Sequence, residues 1–332
     1  MGRVLKYILI SLLLIFIASS ASAKKLRFSH DEAPGSEQDK WVTSFVEKAV
    51  QYEPSLNIRV YPASQLGDYE EVYDQVMEGS VDMIVVTPST KYDKRIAFAL
   101  FPYLVNNYEE AEKAFSKGGF AYDIVDELLE KQNLMTLGIF ADGFGGLGFT
   151  KKPENVEDPN AKHSSFKIRV WPSGVAVHKP ILDRFGYNTT TINWSELYTA
   201  LQTGIVDGMI GAVPKNILHN FRGPVKVWFQ WNEYFDLNWL LINKDSYDRL
   251  NEQQQAALVK AGAEVTKQRF KDSKANNEKY LEEMAQEGIE VIIPSDEVIA
   301  QFADIVRKEV WPNLKEKIGE EIYQKMLEET SK

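Results

Sequence analysis

Ser195-Glu196-Leu197-Tyr198-Thr199-Ala200-Leu201-Gln202-Thr203-Gly204-Ile205-Val206-Asp207-Gly208-Met209-Ile210 decides how this chain is read. It is a helix from Ser195 to Thr203 followed almost at once by a strand from Val206 to Ile210. Working outward, a strand lies near Asn188 to Ile192, a helix at Val175 to Phe185 and a strand at Phe166 to Val170. Strands and helices that alternate at this spacing form right-handed βαβ units around a parallel sheet.

The first half repeats the pattern. Leu26-Arg27-Phe28-Ser29-His30 alternates as a strand, and Trp41, Val42, Phe45, Val46 and Ala49 take the spacing of an amphipathic helix. The strand Leu56 to Tyr61, a helix from about Asp68 to Met77 and the strand Val81 to Val86 follow. A helix over Glu109 to Lys131 and a strand over Leu134 to Phe140 complete the unit. Polar residues Lys151 to Ser165, with Pro153 and Pro159, separate it from the second alternation. The class is therefore α/β, with two units and a cleft between them. Glu252 to Gln286 has no Pro, one Gly and strong helix formers throughout. It predicts one helix of about 35 residues, too long for one unit. Gly288 stops it, and a short strand at Ile289 to Ile293 and two helices close the chain.

Residues 1–23 read as an export signal rather than as structure. Arg3 and Lys6 precede an apolar run from Ile8 to Ile17, and Ala21-Ser22-Ala23 suits signal peptidase. About 20 apolar residues are needed to span a bilayer, so a retained anchor is the weaker reading. The remaining 309 residues of 332 suffice for two domains, and loss of Arg3 and Lys6 takes the formal charge from −10 to −12. That sign argues against nucleic acid and anionic membrane surfaces as partners. The chain has no Cys, which excludes disulfides, thiol catalysis, thiolate metal sites and lipid attachment at a cleavage-site Cys. The expected compartment is the periplasm, without a lipid anchor.

Few residues carry chemistry. Gly143-Phe144-Gly145-Gly146-Leu147-Gly148 has the spacing of a dinucleotide loop, but Phe149-Thr150-Lys151-Lys152-Pro153 cannot start the phosphate-binding helix. An interlobe hinge is the better reading. His30, His163, His178 and His219 form no metal pair and are expected on the surface; no hydrolase motif is present. No enzyme activity, cofactor or metal is expected. In Phe166-Lys167-Ile168-Arg169-Val170-Trp171 the apolar Phe166, Ile168 and Val170 take one strand face, and Lys167, Arg169 and Trp171 the other. A guanidinium matches a carboxylate with two parallel hydrogen bonds, although a solvent-exposed strand Arg is the commoner case. Aromatic residues make up 12% of the chain, with Trp194, Trp228, Trp231 and Trp239 crowded into the second half, enough to line a pocket for a flat or apolar ligand.

These residues carry a resemblance to the DctP-type solute-binding proteins of TRAP (tripartite ATP-independent periplasmic) transporters. It rests on Tyr61-Pro62-Ala63-Ser64-Gln65-Leu66-Gly67, Lys167-Ile168-Arg169-Val170 and above all Glu196 to Gly208, with Phe101-Pro102-Tyr103-Leu104 and Gly79-Ser80-Val81-Asp82 in support. The resemblance spans nearly the whole exported chain. It implies a two-lobe periplasmic-binding-protein fold, a ligand cleft between the lobes, a long helix crossing both, and closure over an organic acid delivered to integral membrane subunits. The expected lobes are 24–145 plus about 235–270, and 146–234 plus about 271–332. The resemblance also implies that Arg169 pairs with the ligand carboxylate and that Trp194 packs on the ligand. Trp171, Gly211, Asp31, Tyr69, Thr87, Phe144 and Trp239 complete the candidate ligand-binding set, and a monomer is expected.

The sequence departs from the family at two places. Gly211 lies where the family commonly has an Asn, and Gly145 near where many members carry a second Arg. These losses imply a monocarboxylate with an apolar or aromatic body. A C4 dicarboxylate stays open if Lys167, Lys94 or Arg95 replaces the missing Arg. An aromatic amino acid stays open if Asp31 or Glu32 faces the cleft. A ligand-sensing role beside a receptor is the alternative to transport.

Overall fold

The computed structural model describes residues 25–330; the expected export signal lies outside them. Eleven strands are present among these residues: β1 (Lys25–Ser29), β2 (Asn57–Tyr61), β3 (Met83–Val86), β4 (Leu134–Phe144), β5 (Leu147–Phe149), β6 (Lys167–Val170), β7 (Asn188–Thr191), β8 (Gly208–Met209), β9 (Val227–Phe229), β10 (Phe235–Asn243) and β11 (Glu290–Ile292). They form two sheets, ordered β2-β1-β3-β10-β4 and β11-β9-β5-β8-β6-β7. Each sheet, with its helices, is one lobe of a two-lobe fold, here lobe I and lobe II.

Neither sheet is wholly parallel, as the alternation alone suggested. β1, β2 and β3 run parallel, but β10 pairs antiparallel with both β3 and β4. In lobe II β6, β7 and β8 are parallel, while β5 runs against β8 and β9. β10 is legible in its sequence. Phe235, Leu237 and Trp239 alternate with Asp236 and Asn238, as a strand with two different faces requires. One face goes to the core and the other to the space between the lobes.

The chain passes from lobe I to lobe II through Gly145 and Gly146, between β4 and β5. A Cβ on Gly145 would lie 2.2 Å from the Tyr234 ring, and one on Gly146 2.4 Å from the Phe229 carbonyl oxygen. Close approach of the two sheets thus requires glycine here. β5 follows directly, so no phosphate-binding helix start exists.

The helix Glu252–Gln286 is continuous over its 35 residues. Asn251 and Gln254 close a capping box at its start, satisfying backbone donors that would otherwise be orphaned. Ala257, Leu258, Ala261 and Val265 pack in the core of lobe I, and Tyr280 and Met284 in that of lobe II. Gly262 lets it lie on β4: a Cβ there would sit 1.9 Å from the Leu137 carbonyl oxygen.

Three readings change. The helix expected over Glu109 to Lys131 is two, Tyr108–Phe115 and Phe120–Glu130, split at Gly118 (φ +87°) and Gly119. The chain closes with three α-helical segments, Asp296–Ile305, Trp311–Ile318 and Glu320–Thr330, the first two joined by a π turn. They rest on both lobes, since Phe302 meets Phe185 while Trp311 packs on Phe101 and donates to the Pro102 carbonyl. Finally, His30, His163 and His178 are buried; only His219 is exposed. His163 stacks on Tyr187, and His178 lies between Trp171 and Tyr234, where burial lowers its pKa to about 3.

Glu233, between β9 and β10, is fully buried and neither carboxyl oxygen has a hydrogen-bond partner among the described residues. Burial raises its pKa from 4.5 to about 8. The folded state therefore keeps a proton that the unfolded state loses above about pH 4.5, and stability drains away as pH rises through 8. Glu233→Gln, which has no proton to hold, should raise stability at pH 7 by about 2–3 kcal/mol and leave it nearly unchanged at pH 4.5. Thermal melts of both proteins across that range check this; parallel curves would refute it.

Candidate functional site

Between the lobes lies a cavity with an empty volume of about 640 Å³, counting the part open to solvent. Seven of the nine candidates line it: Asp31, Tyr69, Thr87, Arg169, Trp171, Trp194 and Gly211. Phe144 and Trp239 do not. Phe144 meets Tyr108 and Phe235 edge to face inside the core, and Trp239, on the inward face of β10, stacks on Tyr122.

Arg169 stands on β6, between β7 and β8, and is 1% exposed. Its Nε donates to the Ile192 carbonyl (2.9 Å) and its NH1 to the Ile210 carbonyl (3.2 Å). These bonds fix the fork but bring no negative charge, and no carboxylate among the described residues pairs with it. Burial lowers its pKa to about 10, so it remains a cation at neutral pH. Its guanidinium lies 5.7 Å from the centre of the Trp194 ring, a cation–π arrangement of about 1 kcal/mol. Tyr69, at the start of the helix Tyr69–Met77, brings a buried Oη near Ser173 without a hydrogen bond of normal geometry. A buried cation from lobe II and, from lobe I, a hydroxyl without a hydrogen-bond partner among the described residues can both donate to an anion here.

Trp171 forms the flat wall, and two glycines make room for it. A Cβ on Gly174 would lie 2.5 Å from the indole, and one on Gly211 2.4 Å. Gly211 also holds φ +87°. It therefore seats Trp171 rather than leaving the cavity emptier. The stretch after Gly208 still supplies a polar group, Asn216, from the short helix Pro214–Asn216.

The opposite wall belongs to lobe I and is acidic, which the sequence reading largely missed. Asp31 and Glu32 follow β1, Asp142 lies near the end of β4, and Asp236 lies on β10. Between Asp236 and Leu237 the β10–β4 register shifts, so Asp142 is the extra residue of a bulge beside Gly143, at φ +122°. Bulges re-aim side chains, and this one turns Asp142 to the cleft. Asp142 Oδ1 accepts from Lys215 (2.8 Å) and Arg269 (3.0 Å), and Arg269 also reaches Glu37 (2.8 Å). Burial raises the Glu32 pKa to about 7, with Lys215 opposing, and burial also raises Asp31 and Asp236. Asp31 is open to cleft water although protein crowds it on its other sides. Lys167, Lys94 and Arg95 lie off the cavity; the extra cations beside it are Lys215 and Arg269.

Among the described residues, three polar side-chain contacts cross the cleft. Lys215 meets Asp142, Asn216 Nδ2 donates to Glu32 (3.3 Å), and Ser173 Oγ donates to Glu70 (2.9 Å). Among the described residues no group of three His, Asp or Glu could hold a metal ion, and no helix is long and apolar enough to cross a membrane.

The family described as bacterial extracellular solute-binding protein, family 7 (DctP) matches residues 28–317. The chain belongs to that family. It is 27% identical over 271 residues to the C4-dicarboxylate-binding periplasmic protein DctP of Rhodobacter capsulatus, covering 79% of this chain and 78% of the relative. It is 23% identical over 327 residues to the ectoine-binding periplasmic protein TeaA of Halomonas elongata, covering 94% and 89%. A TRAP periplasmic solute-binding protein from Desulfovibrio salexigens, solved with bound orotic acid, has the same fold at 17% identity, with a TM-score of 0.79 over 91% of this chain and 99% of that one. The resemblance read from Glu196 to Gly208 and the Arg169 strand thus identified the family and its two-lobe fold.

Gly211→Ala would strain the backbone and press a methyl into the Trp171 ring. The expected result is a loss of about 1–3 kcal/mol in stability. Because the displaced indole enters the cavity, ligand-induced stabilisation should shrink as well. Denaturant unfolding and thermal shift with ligand measure the two effects; wild-type values in both would refute the seating.

Proposed function

We propose that this family member is a periplasmic receptor for an organic acid, held by Arg169, which it delivers to the membrane subunits of a TRAP transporter. The observation that carries the reading is one side chain: a guanidinium 1% exposed, fixed by two carbonyls, facing the cavity with no acidic partner. A buried charge of that kind is costly unless something pairs with it, and a ligand carboxylate fits its fork. The relatives' names, a C4 dicarboxylate for one and ectoine for another, support an organic solute of this size.

The ligand is a monocarboxylate with an apolar or aromatic body. Trp171 and Trp194 supply flat surface beside Arg169. A second carboxylate would face Asp31, Glu32, Asp142 and Asp236 across the cavity, and like charges at close range repel in a site shielded from water. The protein works as a monomer, its lobes closing on the solute through the contacts made by Ser173, Lys215 and Asn216. Lobe I comprises 24–145 and about 235–270, and lobe II 146–234 and about 271–332; the membership of the strands in the two sheets supports that division.

Arg169→Ala should cost about 3–5 kcal/mol in binding, several hundred-fold or more in Kd. Arg169→Lys should fail almost as badly, since an ammonium lacks the fork. Titration calorimetry with the acid recovered from purified protein by mass spectrometry tests both. Near wild-type affinity in Arg169→Ala would overturn the reading.

A further inference from the structure

The charges around the cavity do not cancel, and the imbalance has a direction. Lys215 and Arg269 are matched by Asp142 and Glu37 through contacts of 2.8–3.0 Å. Setting those four aside leaves one cation, Arg169, on the lobe II wall, and three carboxyls, Asp31, Glu32 and Asp236, on the lobe I wall. Asp31 accepts from Gln38 (3.3 Å) and Glu32 from Asn216 (3.3 Å), both neutral amides, and no cation of the described residues forms an ion pair with any of the three. Opposite it, Arg169 is nine-tenths buried and likewise without a counter-charge. The cavity therefore presents a cation on one wall and carboxyls on the other.

A simple organic anion answers only the first wall. From this polarity we infer that the natural ligand is a zwitterion, an amino acid or a betaine, whose carboxylate meets Arg169 and whose cationic nitrogen meets the Glu32–Asp236 wall. The inference rests on the assignment of Arg169 to the ligand carboxylate and adds the second half of the ligand. A zwitterion spans the cleft with one charge for each lobe, so binding itself draws the lobes together. A metal ion is a poorer occupant, because no three of these acids group as ligands.

The titration of the wall gives the inference a sign. Facing Glu32 are Asp31 from its own loop, Asp142 from β4, Asp236 from β10 and Lys215 from the short helix 214–216; Arg269 and Glu37 stand behind Asp142. With its pKa near 7, Glu32 carries a proton over much of the acid range in the empty cleft. An ammonium or quaternary nitrogen pairs with the ionised form, so binding must expel protons and tighten as pH rises from about 6 to 8. An acid without the nitrogen would take up protons and weaken over the same interval.

The test is a thermal-shift panel of the twenty common amino acids and glycine betaine beside their 2-hydroxy and 2-oxo counterparts, followed by calorimetry on the best pair in buffers of different ionisation enthalpy. The expected result is tenfold or greater preference for the zwitterion, with proton release. Glu32→Gln and Asp236→Asn, each checked for a cooperative melt, should lose tenfold or more toward the zwitterion and little toward its deaminated counterpart; Arg169→Ala should lose both. Deaminated acids binding equally well or better, or no shift with any zwitterion, overturns the inference. If those acids still depend on Arg169, the carboxylate assignment survives it. Binding independent of Arg169 removes the assignment and the inference together. Stabilisation by calcium or magnesium alone, reversed by chelator, would assign the acidic wall to a metal and also overturn it.

Discussion

One carboxylate oxygen holds the halves of this molecule in register. Asp142 Oδ1 receives Lys215 from lobe II and Arg269 from the long helix, while its own strand belongs to lobe I. All three side chains are withdrawn from water, and breaking such a pair by removing one partner costs about 3–5 kcal/mol because the other charge is left stranded. The bulge at Gly143 turns Asp142 toward its partners, and the glycines that follow let β4 hand the chain to β5 under the Tyr234 ring. The approach of Lys215 to the acidic wall follows from that junction.

The two walls of the cavity are built by different means. On the lobe II side, a parallel strand presents Arg169, and glycines at 174 and 211 let an indole lie flat beside it. On the lobe I side, no single strand dominates; a loop after β1, a bulge and the polar face of an antiparallel strand each contribute one or two acids. Charge of one kind is concentrated on one secondary structure element, and charge of the other is spread over three.

That difference decides what could be read from sequence. Arg169 sits in a short strand whose alternation is plain, and the segment Glu196 to Gly208 carries the family's pattern, so the fold and the place of Arg169 in the cavity were legible. The long helix was legible to the residue, because thirty-five positions without Pro leave no alternative. Asp142 was invisible: its aim depends on a register shift against a strand ninety residues away in sequence. Asp236 could have been found from the alternation of β10, had Phe235 to Trp239 been read as a strand rather than as part of an aromatic cluster. Trp239 was misplaced for the same reason, since the alternation sends it to the core. The buried histidines show another limit, because burial of a neutral imidazole leaves no mark in local sequence.

The helix Glu252–Gln286 belongs to both lobes, and its length has a mechanical meaning. At 1.5 Å per residue it is a rod of about 52 Å with unbroken backbone hydrogen bonds. A rod pinned to two bodies cannot lengthen, so any change in the angle between the lobes must be taken up as curvature along it. The helix is held to lobe I as far as Arg269, which donates to the Ala141 carbonyl, and Phe270, which stacks on Phe235, and it is held to lobe II again from Tyr280; Asn277 between them is tied by its side chain to Tyr108. Bending concentrated in that interval would act as elastic recoil, so the helix sets a resting angle for the jaws as well as joining them.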